Sequence, residues 1–277
     1  MRILTSAQGA VANLPNSQGV HVVLYQYQTC PFCNKVRAYL DMQQVPFTVV
    51  EVNPLFKGEM AWSKDYRNVP IAVVNGTQVN NSADIIKHVE SLLGQGARPA
   101  GAMSDAEVAE WCAWVDGTLA RTLAPNIYRT WEEALASFDY ITDNSNFGQV
   151  GGAVTKYTGA LAMYAIGKRL KKKYGFEDER KALYSAITQW LTHAVGEKAF
   201  AGGDAPNTAD VEVFGVLRSL QSYETWQDVL QHTDVQAWYQ RMADAVGPSS
   251  QQHKLFTAPS AVLNPPPPKA AANAEKR

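Results

Sequence analysis

The feature that most constrains this chain is a pair of cysteines two residues apart, at the junction of a predicted strand and a predicted helix. Cys30-Pro31-Phe32-Cys33 follows the apolar run 22–24. After it, Val36, Tyr39 and Leu40 recur at three- and four-residue intervals, which predicts an amphipathic helix. A Cys-x-x-Cys pair between a strand and a helix is typical of a redox-active thiol site.

The start of this helix predicts which sulfur reacts. Pro31 suits the first helical position, because it has no N–H group to leave unpaired there. Cys30 then takes the N-cap, where free backbone N–H groups and the positive end of the helix dipole favour a thiolate. In such motifs the thiol pKa falls from about 8.5 to roughly 3.5–7.5. Cys33 lies most of a turn further on, so it can form a disulfide with Cys30 or donate a hydrogen bond to it, and Lys35 and Arg37 add positive charge nearby.

A zinc site and an inert core are the two alternatives to a redox-active cysteine pair. Half of a zinc site would require further ligands, but Cys112 stands alone and the histidines lack ligand spacing, so no metal site is predicted. Inert thiols in a hydrophobic core are the second alternative. The strand–helix context favours a reactive site over both, whereas Cys112 itself is expected to be a small buried residue.

Composition limits the class of protein. A chain of 277 residues has room for two domains, and a net charge of −1 gives no indication of a nucleic-acid partner. Three cysteines fit a reducing compartment, and the lack of an uncharged apolar stretch of about 18 residues predicts no transmembrane segment. Residues 1–18 are expected to be a flexible leader. It contains no acidic residue, a mild likeness to a mitochondrial presequence, so the expected location is cytoplasmic or mitochondrial.

Residues 19–94 are predicted to form an α/β domain. Strands are expected over 45–52 and 69–74, and Asn75-Gly76 is a strong hairpin signal before a return strand. A helix is expected within 54–66, and another from Ala83 with Asn81 or Ser82 as its N-cap. This order of elements is similar to the thioredoxin/glutaredoxin fold.

The rest of the chain is predicted to be helical. A Gly- and Pro-rich linker over 95–103 leads into an all-helical domain over 104–247, which opens with a capping box at Ser104 and Glu107. Pro125 is expected to interrupt the helical pattern, and 142–146 to form a loop. A second capping pair, at 207 and 210, is expected to be structural. Residues 248–277 are predicted to be a disordered tail, because their Ser-, Gln- and Pro-rich composition cannot form a core.

A thioredoxin-like domain followed by an all-helical domain resembles the glutathione transferase architecture. Within it, the chain from about 22 to 242 resembles the membrane-associated prostaglandin E synthase type 2 family. The matching motifs are Tyr25-Gln26-Tyr27, Thr29-Cys30-Pro31-Phe32-Cys33, Val50-Glu51-Val52-Asn53-Pro54, Pro125-Asn126-Ile127-Tyr128-Arg129-Thr130, Ala134-Leu135-Ala136-Ser137-Phe138-Asp139-Tyr140, Lys168-Arg169-Leu170-Lys171, Pro206-Asn207, Ala209-Asp210, Gln231-His232-Thr233 and Trp238-Tyr239.

The resemblance implies a glutathione-binding enzyme that isomerises prostaglandin H to prostaglandin E. It implies that Cys30 is the catalytic thiol, that the Tyr27 hydroxyl bonds its sulfur, and that Phe32, next to Pro31, lines the substrate pocket. The implied glutathione contacts are the backbone of Val69 before a cis Pro70, and Asn81 and Ser82 at a helix N-terminus suited to a carboxylate.

The resemblance also implies a haem-bound form, in which Arg169 meets the propionates and Arg121 lies nearby. Three departures bear on these roles: Asn81 stands where an Asp is usual, and Arg121 and Ala124 replace a His and a Ser. A peripheral association with membranes and a homodimer are left open. The alternatives are a glutaredoxin-like oxidoreductase or glutathione transferase, supported by Cys33, and a non-catalytic protein that binds glutathione or haem.

Overall fold

The computed structural model describes residues 19–54, 56–94, 103–144 and 153–259. The predicted leader, most of the predicted linker and the chain beyond 259 lie outside these ranges.

Five strands form one mixed sheet in the order β4-β3-β1-β2-β5. The strands are β1 (Val22–Gln26), β2 (Phe47–Glu51), β3 (Ile71–Val74), β4 (Thr77–Asn80) and β5 (Gln251–Leu255). β1 runs parallel to β2 and antiparallel to β3. The predicted hairpin joins β3 to β4, and both Asn75 and Gly76 have positive φ angles, of 48° and 83°, as a type I′ turn requires.

Two helices accompany the sheet: α1 (Pro31–Met42) follows β1, and α2 (Ser82–Leu93) follows β4. The prediction of a helix within 54–66 is wrong, because the described residues of this segment form only a single 3₁₀ turn, Gly58–Met60. Side chains bind the local backbone instead: Asn53 Oδ1 accepts from Phe56 N at 3.0 Å, and Glu59 Oε2 accepts from Asn53 N at 2.9 Å. Such local bonds compete with helix formation.

Most of the described residues from 103 to 246 lie in helices. The elements are α3 (Asp105–Trp114), a π-helical turn (Val115–Leu119), α4 (Ala120–Ile127), α5 (Trp131–Asn144), α6 (Ala153–Tyr174), α7 (Glu179–Gln189) with a π-helical end (Trp190–Val195), α8 (Thr208–Arg218), α9 (Glu224–His232) and α10 (Val235–Val246). Both predicted capping boxes are present, at the starts of α3 and α8.

Two predictions in this part are wrong. Pro125 lies inside α4 and does not interrupt it. Pro125 removes one helical bond, to the Arg121 carbonyl, but the helix continues past it, and Tyr128 N donates to Ala124 O at 3.1 Å. The loop predicted to begin at 142 is helical as far as Asn144, and 145–146 lie outside the described residues.

The thiol-bearing helix α1 packs directly on α8. A Cβ atom at Gly215 of α8 would lie 2.7 Å from both Asn34 O and Lys35 Cα, so only glycine allows this approach of the two backbones. One continuous core joins the sheet, α1, α8 and α10, with Leu24, Leu40, Leu217 and Trp238 fully or almost fully buried. The helical part therefore fixes the position of α1.

The disorder predicted from 248 onward is wrong for the described part of that segment. β5 adds to the sheet edge in parallel with β2, and Asp41 anchors it by accepting from Ser250 N at 3.0 Å and Ser249 Oγ at 2.9 Å. The polar composition of β5 did not indicate a strand. Its pairing with β2 uses backbone groups and not a buried apolar face.

Within the described ranges, none of the helices has both the length and the apolar character needed to cross a bilayer.

Candidate active site

Cys30 occupies the N-cap of α1, as predicted, with an extended backbone at φ −70° and ψ 125°. Its N–H donates to Tyr27 O at 3.1 Å, and its carbonyl accepts from the backbone and side-chain nitrogens of Asn34, each at 3.0 Å. Cys30 is half-buried, whereas Cys33 is fully buried. Cys30 is therefore the sulfur that a ligand can reach.

The two sulfurs differ in their ionisation. A hydrogen bond from the Cys33 thiol, helped by the N–H groups of Cys33 and Phe32 and by the charge of Arg37, lowers the pKa of Cys30 despite its burial. Burial, together with donation to Cys30, raises the pKa of Cys33 well above the ordinary thiol value. Of the two thiols, Cys30 is therefore the one that loses its proton more readily, while Cys33 holds its proton more tightly.

Arg37 is the cation that acts on this pair. Its guanidinium is buried and donates to Gln28 Oε1 at 2.9 Å, Gln28 O at 3.1 Å and Asn34 Oδ1. Burial, and then the nearby Arg218, lower the pKa of Arg37 to about 10, which leaves it charged at neutral pH. Glu51 completes the support of the loop before Cys30, since its Oε1 accepts from Gln28 N at 2.6 Å.

Lys35, predicted to add charge near the thiols, is engaged elsewhere. Its Nζ lies 2.5 Å from Asp116 Oδ1 and 2.9 Å from Glu212 Oε2, in the contact between α1 and the helical part. Glu212 also accepts a hydrogen bond from the Cys112 thiol. Cys112, expected to be a small buried residue, is half-buried beside this ion pair.

Tyr27 and Tyr66 lie on the sheet side of the thiols and pack against the apolar cluster of Tyr25, Val50 and Ile71. Burial, and next the charges of Cys33 and Cys30, raise the pKa of Tyr27 to about 12, so its hydroxyl is neutral and can donate. The bond from that hydroxyl to sulfur stays a prediction. Phe32 is half-buried against the main core, and Pro31 is the first residue of α1.

Tyr128 is the C-cap of α4, and burial and then the charge of Cys30 raise its pKa. Burial and then the charge of Tyr128 likewise raise the pKa of Tyr223. Sequence reasoning did not single out either as a site residue. No local signal could have identified them, because their electrostatic effect on the site depends on how the helical part packs against α1.

The predicted glutathione contacts occupy the sheet side. The Val69-Pro70 bond is cis, as expected. Asn81 is the N-cap of α2: its Oδ1 accepts from Asp84 N at 2.9 Å and its Nδ2 donates to Asp84 Oδ2 at 2.6 Å, while Ser82 is buried. Burial, and then the charges of Cys33, Cys30 and Asp84, raise the pKa of Tyr66.

The two arginines assigned to haem do not converge. The Arg121 guanidinium lies 5.4 Å from the ring centroid of Tyr174, and Arg169 is exposed on the same helix as Tyr174. Five residues separate 169 from 174, which places their side chains about 140° apart around α6. Among the described residues, no group of three or more His, Cys, Asp or Glu side chains is arranged to hold a metal ion.

A sheet domain that presents an N-capping cysteine, followed by helices that include a buried capped helix, defines the glutathione transferase fold. The beta-etherase LigF from Sphingobium sp. strain SYK-6 has this fold, with a TM-score of 0.57 at 18% identity over 81% of this chain and 96% of its own. An apo structure of glutathione S-transferase III gives 0.55 at 17% identity over 89% and 99%. The glutaredoxin family model matches residues 22–79.

Comparison of amino-acid sequences identifies the family within this fold. The chain is 38% identical to prostaglandin E synthase 2 of Mus musculus, over 90% of this chain and 76% of that protein. It is 39% identical to prostaglandin E synthase 2 of Danio rerio, over 81% and 71%. The chain belongs to the prostaglandin E synthase 2 family.

Proposed function

We propose that this protein isomerises the cyclic endoperoxide prostaglandin H to prostaglandin E, with the Cys30 thiolate as nucleophile. The observation that carries the proposal is the arrangement of the two sulfurs. Cys30 is half-buried at the N-cap of α1, and a hydrogen bond from the buried Cys33 thiol lowers the pKa of Cys30. The name shared by the relatives supplies the substrate class.

The reaction needs no oxidant or reductant, because substrate and product are isomers. The Cys30 thiolate attacks one peroxide oxygen, so that an S–O bond forms and the O–O bond breaks. The other oxygen departs as an alkoxide and takes up a proton. A base then removes the proton from the ring carbon that carries the S–O group. The C–H electron pair becomes the second bond of the ketone, the S–O bond breaks, and the thiolate is restored.

Glutathione is the second proposed ligand. The backbone of Val69 and the N-terminus of α2 at Ser82 are the groups that would hold its peptide and its carboxylate. The Asn81 side-chain amide is already hydrogen-bonded to Asp84. The backbone N–H groups at the start of α2, rather than this amide, would therefore bind glutathione.

Product analysis with prostaglandin H, with and without glutathione, tests this function. Wild-type protein is expected to yield prostaglandin E, and Cys30→Ser to lose turnover. Cys112→Ser is the matched control, since Cys112 contacts Glu212 and not the thiol pair, and it should retain turnover. Full activity of Cys30→Ser would eliminate the thiolate mechanism.

A dithiol oxidoreductase is a second candidate, favoured by the contact between Cys33 and Cys30. Reduction of a protein disulfide distinguishes the two. Dithiol chemistry needs Cys33 as the resolving thiol, whereas isomerisation needs only its hydrogen bond. Cys33→Ser should therefore cripple reduction of a protein disulfide and spare isomerisation.

A haem-bound form is not supported by the residues assigned to it. Arg121 and Arg169 project to different sides of α6, so no step is derived through haem. A Soret band that appears when haem and glutathione are added together, in a protein inert towards all these substrates, would instead favour a binding protein.

A further inference from the structure

The turn between β1 and α1 joins the two sides of the site. It runs from Tyr27 to Cys30, and Cys30 N donates to Tyr27 O at 3.1 Å across it. Tyr27 packs with the sheet-side cluster, whereas Cys30 is the N-cap of α1. The shape of this turn therefore fixes where α1 places the Cys30 thiol relative to the sheet side of the site.

Side chains hold Gln28, the second residue of the turn, from two elements. Glu51 Oε1 at the end of β2 accepts from Gln28 N at 2.6 Å. The Gln28 carbonyl accepts from Arg37 Nη2 and Asn34 Nδ2 of α1, each at 3.1 Å. Both backbone polar groups of Gln28 are thus bound by side chains. We call Asn34, Arg37 and Glu51 the turn clamp.

Arg37 is the member of the turn clamp that binds both the turn and α1. Its Nη1 donates to Gln28 Oε1 at 2.9 Å, and its Nη2 donates to Asn34 Oδ1 as well as to the Gln28 carbonyl. Asn34 Nδ2 in turn donates to Cys30 O at 3.0 Å. A planar guanidinium presents its donors in a fixed fork that suits several acceptors at once, whereas a lysine ammonium is a single nitrogen on a flexible chain.

The turn clamp is buried, with exposed fractions of 2% for Asn34, 9% for Arg37 and 0% for Glu51. Hydrogen bonds of charged groups are strong, and a buried network of them favours one arrangement. Among the groups that lower the pKa of Cys30, the charge of Arg37 acts less than the thiol and the N–H group of Cys33. The contacts of Arg37 therefore indicate a role in the shape of the site more than in its charge.

We propose that Arg37 is a positioning residue, whose guanidinium fork holds the turn so that α1 presents the Cys30 thiol to the bound endoperoxide in the orientation that attack requires. This rests on the proposed isomerase function and deepens it. Arg37 acts through Gln28 and Asn34 rather than on the substrate. Orientation matters at this scale, because a displacement of the reacting groups by about 1 Å can lower a rate roughly 10²-fold.

Arg37→Lys tests the proposal, because it keeps the charge and removes the fork. With prostaglandin H, kcat should fall about tenfold or more while KM stays within about twofold. The pH midpoint of Cys30 alkylation should stay within about 0.3 of the wild-type value, since the charge, Cys33 and the start of α1 are kept. Arg241→Lys is the matched control. Arg241 Nε donates to Ala199 O at 3.0 Å in the helical part, and this variant should change neither quantity.

Asn34→Ala is a second variant that leaves the charge of Arg37 in place. It removes the side-chain donor to Gln28 O and Cys30 O, while the bond from Asn34 N to Cys30 O at 3.0 Å is kept. The same pattern is expected, a lower kcat with an unchanged alkylation midpoint. This variant decides the test if urea unfolding shows that Arg37→Lys is too unstable to assay.

Three outcomes would contradict the proposal. Turnover of either folded variant within about twofold of wild type would overturn the positioning role. An alkylation midpoint that rises in step with the loss of turnover would show that Arg37 acts by its effect on thiol ionisation, and would also overturn it. A wild-type protein that forms no prostaglandin E would remove the isomerase function, and this role with it.

Discussion

Removing the Lys35 charge should destabilise the fold more than any surface substitution, because this lysine neutralises a buried carboxylate. The Lys35 side chain is 0% exposed and Glu212 only 3%, with 2.9 Å between Nζ and Oε2. Breaking one partner of a buried pair costs about 3–5 kcal/mol, since the other charge stays buried. We expect Lys35→Met to lower the free energy of unfolding by that amount at pH 7. Asp116→Asn, at a side chain 37% exposed, should cost about 1 kcal/mol or less.

The pH dependence of the stability of Lys35→Met follows from the ionisation of Glu212. Burial already raises the pKa of Glu212, and the Lys35 charge opposes this rise. Without Lys35 the folded-state pKa rises further above the unfolded value of about 4.3. The variant should therefore lose stability as pH rises from about 4.3 through the folded-state pKa, and the gap to wild type should narrow in acid.

Urea unfolding measures these changes, with Glu212→Gln and the double variant Lys35→Met/Glu212→Gln completing a cycle. The double variant should cost much less than the two single changes added together, because the charge it leaves unpaired, on Asp116, is 37% exposed rather than buried. Additive costs would show that the two residues do not stabilise each other, and would refute this account of the interface.

Three further predictions concern the site and its support. Cys33→Ala should lower the acid ionisation constant of Cys30 about tenfold, because it removes a charge-assisted hydrogen bond of about 1.5 kcal/mol. Cys33→Ser should keep most of this hydrogen bond. Rates of Cys30 alkylation at pH 6 measure the effect in both variants. Gly215→Ala should lower the free energy of unfolding, measured in urea, by about 1–3 kcal/mol, because the new Cβ would meet the α1 backbone. Gly117→Ala, which has open space around it, should leave that free energy unchanged or raise it. Asp41→Ala should release β5, seen as faster amide exchange from 251 to 255 with slow exchange kept in β1.

Local chemistry explains which parts of the fold could be predicted. Asn75-Gly76, Cys30-Pro31 and the Ser104 and Asn207 boxes each specify a turn or a helix start through a few neighbouring residues. β5 could not be predicted, because it is held by backbone pairing and by Asp41, which lies far away in sequence. The helix expected after 54 failed because Asn53 and Glu59 bind the nearby backbone.

The same distinction applies to the site. The N-cap position of Cys30 and the neighbouring charge of Arg37 follow from sequence. The true partners of Lys35 did not, since Asp116 is 81 residues away. The effect of Cys30 on Tyr128 likewise depends on the packing of α4 on α1. Contacts between residues that are far apart in sequence could not be predicted, because they form only when the chain is folded.

The most direct test is the ionisation of Cys30 itself. Alkylation of the native protein can be followed against pH, with the modified cysteine identified by peptide mass. We expect Cys30 to react first, with a midpoint clearly below the ordinary thiol value of about 8.5. A midpoint at or above that value, or modification of Cys33 before Cys30, would contradict the assignment of a thiolate at the start of α1.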